Sequence, residues 1–186
     1  APTATTATRT DTPLRDIPQS IQVIPQEVLE DQQVIRLEDA LRNASGAIVT
    51  SSGTEDRRFI LRGFSDPAVL RDGFRLFAGG TDNPGSPELA NIERVEVLKG
   101  PASILFGSSE PGGVINLVTK QPLSEPFYAL GFRGGNRELL EPSVDISGPL
   151  TEDSRLLYRL NALYRTEDSF QGRAFDTDFE KFFVAP

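Results

Sequence analysis

The feature that most constrains this chain is a strict alternation of apolar and polar residues after residue 126. Apolar side chains occupy every second position in three segments, and the positions between them are mostly small, polar or charged. Since successive side chains of a β-strand point to opposite faces, each segment predicts a strand with one apolar face. That face packs against either a protein core or lipid, and the periodicity alone does not distinguish the two. The apolar positions are Tyr128, Leu130 and Phe132; Leu140, Val144 and Ile146; and Leu156, Tyr158, Leu160, Ala162 and Tyr164.

Residues 13–122 have a different pattern, in which short helices precede a series of strands. Pro25 suits the start of a helix that runs to Gln32, and Leu37, Ala40 and Leu41 form one apolar stripe of a second helix. Short segments rich in Val, Ile, Leu and Phe follow, bounded by Gly and Pro. This order predicts a small α+β domain. The predicted strands cover residues 57–63, 68–72, 92–99 and 113–120, after an extended segment at residues 21–24.

Two further segments complete the predicted organisation. Residues 1–12 are small, polar and rich in Thr, which predicts a flexible N-terminal arm. Residues 74–89 contain three Gly and two Pro, so we expect a long exposed loop of the kind that often carries function. The predicted divisions are therefore an arm at 1–12, an α+β domain at 13–122 and antiparallel strands at 123–186.

The composition argues against several classes of function. A net charge of −8 disfavours nucleic acid as a partner, because phosphate binding needs clustered Lys and Arg. His and Cys are absent, which removes the usual general base, the thiol nucleophile and the commonest zinc ligands. A carboxylate-based hydrolase would need a facing pair such as Glu93 and Glu96, but residues three apart on a strand point to opposite faces. We therefore predict that the chain is not an enzyme.

A series of short motifs runs through the α+β region in a fixed order. They are PQSIQVIP at 18–25, LEDALRN at 37–43, FILRGF at 59–64, RDG at 71–73, IERVEVLKGPAS at 92–103, and FG, PGGVIN and VTK at 106–107, 111–116 and 118–120. In this order they resemble the plug domain of TonB-dependent siderophore receptors. An ordered set of this length is far more specific than any single motif. The segments after residue 126 resemble the first barrel strands of the same family.

The resemblance implies an α+β plug domain, with a small mixed sheet and short helices, followed by antiparallel strands of an incomplete transmembrane β-barrel. It implies a location in the bacterial outer membrane, contact with lipid, and import of a ferric siderophore energised by TonB. The chelator would hold the iron, so we expect no cofactor and no metal ligand from the protein. Residues 3–10, TATTATRT, resemble the tail that follows a TonB box, and we expect the box upstream of Ala1.

The resemblance also assigns roles to individual residues. A siderophore pocket should be mostly apolar with a few oriented polar groups, and the segments 64–68 and 74–89 are the expected sources. In some family members the arginine of the RGF motif reaches the ligand; the alternative for Arg62 is a structural ion pair with Glu93 or Glu96. The candidate ligand residues are Arg62, Phe64, Phe74, Arg75 and Phe77. The expected structural residues of the plug are Arg71, Asp72, Gly73, Glu93, Arg94, Glu96, Lys99, Gly100, Pro101, Gly107, Pro111, Gly112, Gly113 and Asn116.

Other functions remain open at this level. A receptor of the same family could carry cobalamin, heme or a sugar instead of a siderophore. The chain could also be a soluble binding module without a transport role, in which the alternating strands would cover a protein core.

Overall fold

The computed structural model describes residues 3–51, 57–77, 87–107, 110–136, 139–151, 153–167 and 179–185. The chain divides into two compact units, Ala1–Lys120 and Gln121–Pro186, which places the boundary next to the predicted division after Pro122. The strands of the first unit are β1 Thr3–Ala4, β2 Thr12–Pro13, β3 Ser20–Pro25, β4 Ala47–Ser51, β5 Arg57–Leu61, β6 Phe64–Ser65, β7 Ala68–Arg71, β8 Phe74–Phe77, β9 Ile92–Lys99 and β10 Gly113–Thr119. Those of the second are β11 Phe127–Gly134, β12 Leu140–Pro149, β13 Leu157–Glu167 and β14 Phe179–Ala185.

The helices of the first unit are short. They are α1 Gln26–Asp31, α2 Leu37–Leu41 and α3 Ser103–Phe106, with a 3₁₀ turn at Leu14–Asp16. Extended Pro25 precedes α1, and Glu27 lies in its first turn, where the helix dipole favours a negative charge. On α2, Leu37, Ala40 and Leu41 are at most 1% exposed, which confirms the predicted apolar stripe. No helix among the described residues is long and apolar enough to cross a membrane.

A mixed five-stranded sheet, in the order β3-β9-β10-β7-β8, forms the centre of this unit. Strand β10 runs parallel to β7 and antiparallel to β9, and β3 is antiparallel to β9. One face of the sheet packs Val95, Val97 and Leu117 against helix residues such as Leu37 and Leu41. Full burial of each such side chain contributes about 1.5–3 kcal/mol. This core holds the central strands in register and so positions the turns at both ends of the sheet.

The opposite face of the sheet is covered in part by the N-terminal residues. Strands β1 and β2 pair as an antiparallel ladder, and we call residues 3–13 the N-terminal strap. Ala4 is fully buried and Thr6 is 2% exposed, while Ala7 packs against the small cluster around Leu98. The prediction of a flexible arm at 1–12 is therefore wrong for the described part of that segment. Its polar backbone finds partners on the sheet, which a composition-based prediction does not consider.

The segment 74–89 also differs from the predicted long loop. Phe74–Phe77 forms β8, which pairs antiparallel with β7. Farther along, Glu88 bridges to Arg36 and Leu89 is 7% exposed. The residues between them, 78–86, lie outside the described part of the chain. The prediction failed at the start of the segment because Phe74–Phe77 closes a hairpin with β7, and at its end because Glu88 finds a partner, Arg36, that is distant in sequence.

The second unit is an antiparallel sheet in the sequence order β11-β12-β13-β14. Its register places Leu130 opposite Val144 and Val144 opposite Ala162. The predicted alternation is confirmed in β11, since Tyr128, Leu130 and Phe132 are 72%, 86% and 73% exposed. The apolar positions of the neighbouring strands therefore fall on one continuous face.

The other face of this sheet carries paired charges. Glu141 accepts from Arg133 at 2.6 Å and also from the Arg165 guanidinium. Asp145 forms a two-point pair with Arg159, through bonds of 3.0 and 2.8 Å. Glu141 and Arg165 are only 5% and 3% exposed. Buried charges are tolerated when each has an opposite charge and a hydrogen bond, as these do.

Candidate ligand-binding site

The turn between β5 and β6 presents Arg62 and Phe64 to solvent. Arg62 has φ 54° and Gly63 has φ 86°, so the chain passes through two left-handed residues in succession. A non-glycine residue there costs about 1–3 kcal/mol, and such strain is concentrated at functional sites. The Arg62 N–H donates to the Gly46 carbonyl at 2.8 Å and holds this conformation. The turn is thus fixed while the guanidinium and the ring stay accessible.

Lys99, the last residue of β9, adds a second positive charge near Arg62. Its ammonium donates to Gln22 Oε1 at 2.8 Å and to Ser45 Oγ at 2.6 Å. The pKa of Lys99 is lowered by burial and then by the positive charge of Arg62. Among the described residues, neither cation forms an ion pair with a carboxylate. Two neighbouring cations without a described carboxylate partner create a local potential that favours an anion.

Glycines allow the neighbouring loops to pack against this turn. A Cβ on Gly100 would lie 3.4 Å from Arg62 Nη1, so the guanidinium rests close to bare backbone. A Cβ on Gly112 would lie 2.3 Å from the Leu61 carbonyl and 2.9 Å from Phe64 Cβ. Such distances exclude any side chain without a shift of the backbone. The glycines of the GP and PGG motifs therefore make the Arg62–Phe64 turn possible in its present position.

The sheet register separates the candidate ligand residues. Phe64 adjoins Gly112, just before β10, and Arg62 adjoins Gly100, whose N–H donates to the Gly112 carbonyl. Phe74 pairs with Arg71, which pairs with Leu117 toward the far end of β10. At 3.3 Å per residue, the stretch of β10 from Gly113 to Leu117 is about 13 Å long. Phe74 therefore lies at the opposite end of the sheet from Arg62, and the predicted residues do not form one cluster.

The two other predicted ligand residues lie on β8, between Phe74 and the Arg62 end of the sheet. Arg75 is exposed, and its guanidinium donates to the Phe106 carbonyl at 3.3 Å. Phe77 pairs through its backbone with Val69, back toward the Arg62 end, and its side chain lies outside the described atoms. The geometry thus supports Arg62 and Phe64 as one site, with Lys99 as a member that the sequence assigned only a structural role.

The alternative role for Arg62, an ion pair with Glu93 or Glu96, is not found among the described residues. Arg94 instead forms ion pairs with both carboxylates, at 3.0 Å from Glu93 and 2.8 Å from Glu96. Burial alone would lower the pKa of Arg94, but the hydrogen bond and charge of Glu96 outweigh it and raise that pKa. The Glu93 side chain is 40% exposed and that of Glu96 is fully buried. Both carboxylates are therefore bound by the same arginine.

The remaining motif residues fix turns and loop ends. The Asp72 carboxylate accepts from the Thr119 N–H and hydroxyl, at 2.9 and 2.8 Å. The next residue, Gly73, has φ 81°, and its N–H donates to Asn116 Oδ1 at 3.0 Å. Three further motif residues lie at or near the ends of elements: Arg71 ends β7, Pro101 precedes α3, and Gly107, with φ 71°, follows α3. Pro111 precedes Gly112, whose contact with Leu61 and Phe64 is described above, and a Cβ on Gly113 would lie 2.0 Å from the Leu98 carbonyl.

Sequence reasoning missed four residues that these contacts involve. Gln22 and Ser45 hold Lys99, and Thr5 and Thr6 bind the buried Glu96. A polar residue on β3 or after α2 carries no local signal of such a role. The buried position of Glu96 in an apolar strand does carry one, because a buried carboxylate requires donors from somewhere in the chain.

Comparison with known proteins identifies the family. The family described as TonB-dependent Receptor Plug Domain matches residues 13–114, more than half of the chain. The metal-pseudopaline receptor CntO of Pseudomonas aeruginosa is 40% identical over 97% of this chain and 25% of its own length. The ferrichrome outer membrane transporter/phage receptor of Escherichia coli is 32% identical over 97% of this chain and 24% of its own length.

A solved structure supports the same family assignment. The ferripyoverdine receptor of the Pseudomonas aeruginosa outer membrane, bound to ferripyoverdine, matches with a TM-score of 0.84 and 32% identity, over 90% of this chain and 23% of that one. The chain thus spans about a quarter of the length of the curated relatives it matches. These findings confirm the resemblance, the fold class and the outer-membrane location. The chain belongs to the TonB-dependent receptors of the bacterial outer membrane and comprises the plug domain and antiparallel strands of an incomplete β-barrel.

Proposed function

We propose that the protein containing this chain imports a ferric siderophore across the outer membrane, energised by TonB. The observation that carries the proposal is the Arg62–Lys99 pair beside exposed Phe64, two cations without a carboxylate partner among the described residues. Relatives named for ferrichrome and ferripyoverdine support the same class of ligand.

The chemistry of the site suits a ferric chelate. Such complexes are often anionic and partly aromatic, and the planar Arg62 guanidinium can donate paired hydrogen bonds to their oxygen atoms. Lys99 adds charge, and Phe64, 42% exposed, offers an apolar surface. In this proposal the chelator supplies all ligands to the iron, so the protein provides neither a resident cofactor nor metal ligands.

The proposed membrane contact follows from the second unit. The exposed face of β11 would meet lipid, and the charged face with Glu141 and Arg159 would line the barrel interior. TonB would engage a segment N-terminal to the strap. We propose no catalytic role, because Glu96 is fully buried and bonded to Arg94, Thr5 and Thr6, which leaves no carboxylate pair with Glu93.

Ligand affinity of Arg62 variants tests the proposal. In the full-length receptor in detergent, Arg62→Ala should weaken binding of a ferric chelate about 10- to 100-fold, the value of one charge-assisted hydrogen bond. Arg58→Ala is the matched control, because Arg58 is an exposed arginine on β5, the strand that leads into the Arg62 turn. Its affinity should equal that of the wild type. Titration should use hydroxamate and catecholate ferric chelates, with cobalamin, heme and an oligosaccharide as comparators.

Two results would contradict the proposal. One is an unchanged chelate affinity of Arg62→Ala. The other is tight binding of cobalamin, heme or sugar in place of every ferric chelate, which would keep the receptor family but change the cargo.

A further inference from the structure

A buried carboxylate binds the N-terminal strap to the sheet. Glu96 is fully buried in the central strand β9. Its oxygens accept from the backbone N–H groups of Thr5 and Thr6, at 2.9 and 2.8 Å, and from the Thr6 hydroxyl at 2.5 Å. Arg94 donates a further bond at 2.8 Å. Since a buried carboxylate without donors is costly, the strap is part of what makes Glu96 tolerable in this position.

One side chain connects the strap to a distant turn. Asn116 lies opposite Glu96 on β10 and is 1% exposed. Its Nδ2 donates to the Thr6 hydroxyl at 3.0 Å, and its Oδ1 accepts from the Gly73 N–H at 3.0 Å. The Thr6 hydroxyl therefore donates to Glu96 and accepts from Asn116, and both ends of the Asn116 amide are in use. The orientation of that amide depends on the strap at one end and on the turn at the other.

The turn that Asn116 holds controls a hairpin. Gly73 joins β7 to β8, and β8 runs from this turn back toward the end of the sheet where Arg62 lies. Gly73 has a positive φ, which glycine adopts easily because it has no side chain. Its conformation is therefore held by the hydrogen bond to Asn116.

We infer that Asn116 is a positioning residue that couples docking of the N-terminal strap to the conformation of the β7–β8 turn. When the strap leaves, Glu96 loses its donors from Thr5 and Thr6. Asn116 is the opposed residue whose amide can replace them, and turning it toward the carboxylate withdraws Oδ1 from the Gly73 N–H. Release of the strap thereby loosens the turn. A role of this coupling in transport rests on the proposed function, but the coupling itself requires neither ligand nor TonB.

The coupling must act in both directions. A perturbation that loosens the turn should weaken strap docking by the same factor as strap release loosens the turn, because a coupling free energy belongs to both sites. A substitution of Asp72 perturbs the turn directly, since Asp72 anchors the turn through Thr119 and has no described contact with the strap.

Residue-resolved hydrogen exchange on the full-length receptor in detergent, without ligand, tests the inference. Thr6→Val removes the hydroxyl that joins Glu96 to Asn116 and keeps the backbone N–H. We expect exchange of the Gly73 amide to rise about threefold to tenfold, the effect of one hydrogen bond. Thr8→Val is the matched control, because the described bonds of the Thr8 hydroxyl go to Thr10 and Thr12 within the strap. It should leave Gly73 exchange unchanged.

Asp72→Asn supplies the reciprocal measurement. Exchange of the Thr6 amide should rise although Asp72 touches no strap residue among those described. An unchanged Gly73 amide in Thr6→Val, whatever happens at Thr5, would overturn the inference, as would an unchanged Thr6 amide in Asp72→Asn with a loosened turn. Both measurements are made without a chelate, so their results can be interpreted even if the siderophore proposal is wrong.

Discussion

The plug and the strand unit bury opposite kinds of residue. In the plug, Val95, Val97 and Leu117 are fully buried in a sheet-and-helix core. In the strand unit, Leu130 is 86% exposed while Arg165 is 3% exposed. Both units contain the same types of residue, so composition alone does not show that their buried and exposed residues are exchanged. What reveals it is the period of the apolar residues, combined with the charges on the face opposite to them.

Arg62 and Lys99 of the plug differ from the paired charges of the strand unit and from the Arg94–Glu96 pair of the plug itself. In the strand unit, Glu141 is shared by two guanidiniums and Asp145 is paired with Arg159. In the plug, Arg62 and Lys99 repel each other, and no described carboxylate pairs with either. Paired buried charges hold a structure together. Charges such as that of exposed Arg62, which have no described carboxylate partner, are available to a ligand.

The largest predicted effect breaks the charge pairing of the strand unit. Glu141→Ala removes the carboxylate that Arg133 and Arg165 share and should destabilise the full-length receptor by about 3–5 kcal/mol, as expected for a broken buried pair. Urea unfolding in lipid vesicles measures the change. The double variant Glu141→Leu/Arg165→Met should recover much of the loss, because it removes both buried charges, and Arg133, whose side chain is 32% exposed, can reach water. Wild-type stability of the single variant would show that the pair contributes nothing.

A smaller effect tests the exposed apolar face. Leu130→Arg places a charge in the middle of β11 and should cost about 2–4 kcal/mol if that face meets the centre of a bilayer. Leu150→Arg is the matched control, since Leu150 is 61% exposed but follows the end of β12. The measurement is again unfolding of the full-length receptor in vesicles. Equal stability of Leu130→Arg and wild type would mean that water, not lipid, contacts this face.

The smallest effect concerns the unpaired cations of the plug. Lys99 is charged below its lowered pKa and neutral above it, so affinity for an anionic chelate should fall as pH rises through that pKa. We expect a loss of about threefold to tenfold. Lys99→Arg remains charged and should abolish the loss, and comparison at each pH cancels any ionisation of the chelate. Identical pH profiles for the two proteins would remove Lys99 from the site.

Local patterns predicted most elements of the fold. The stripe of Leu37, Ala40 and Leu41 identified α2, and the alternation from Tyr128 identified the strands of the second unit. Ordered motifs identified the family. Each of these signals is contained within a few residues of chain, where side-chain periodicity directly reflects burial.

The errors in the strap and in the ligand site involve partners that are distant in sequence. The strap is ordered because Thr5 and Thr6 meet Glu96, some ninety residues away. The site was predicted as one cluster, yet β-sheet register places Phe74 and Arg62 at opposite ends. Register is fixed by the pairing of whole strands, and no short segment of sequence contains that information.

The strand order of the plug has a consequence for biogenesis. Strand β9 pairs on one side with β3, near the beginning of the domain, and on the other with β10, at its end. The ladder around Val95 therefore needs both Ile24 and Leu117 to be available, and contacts so distant along the chain form slowly. The central ladder of the plug therefore cannot close until nearly the whole domain has been synthesised, and until then β3 and β9 lack part of their native sheet.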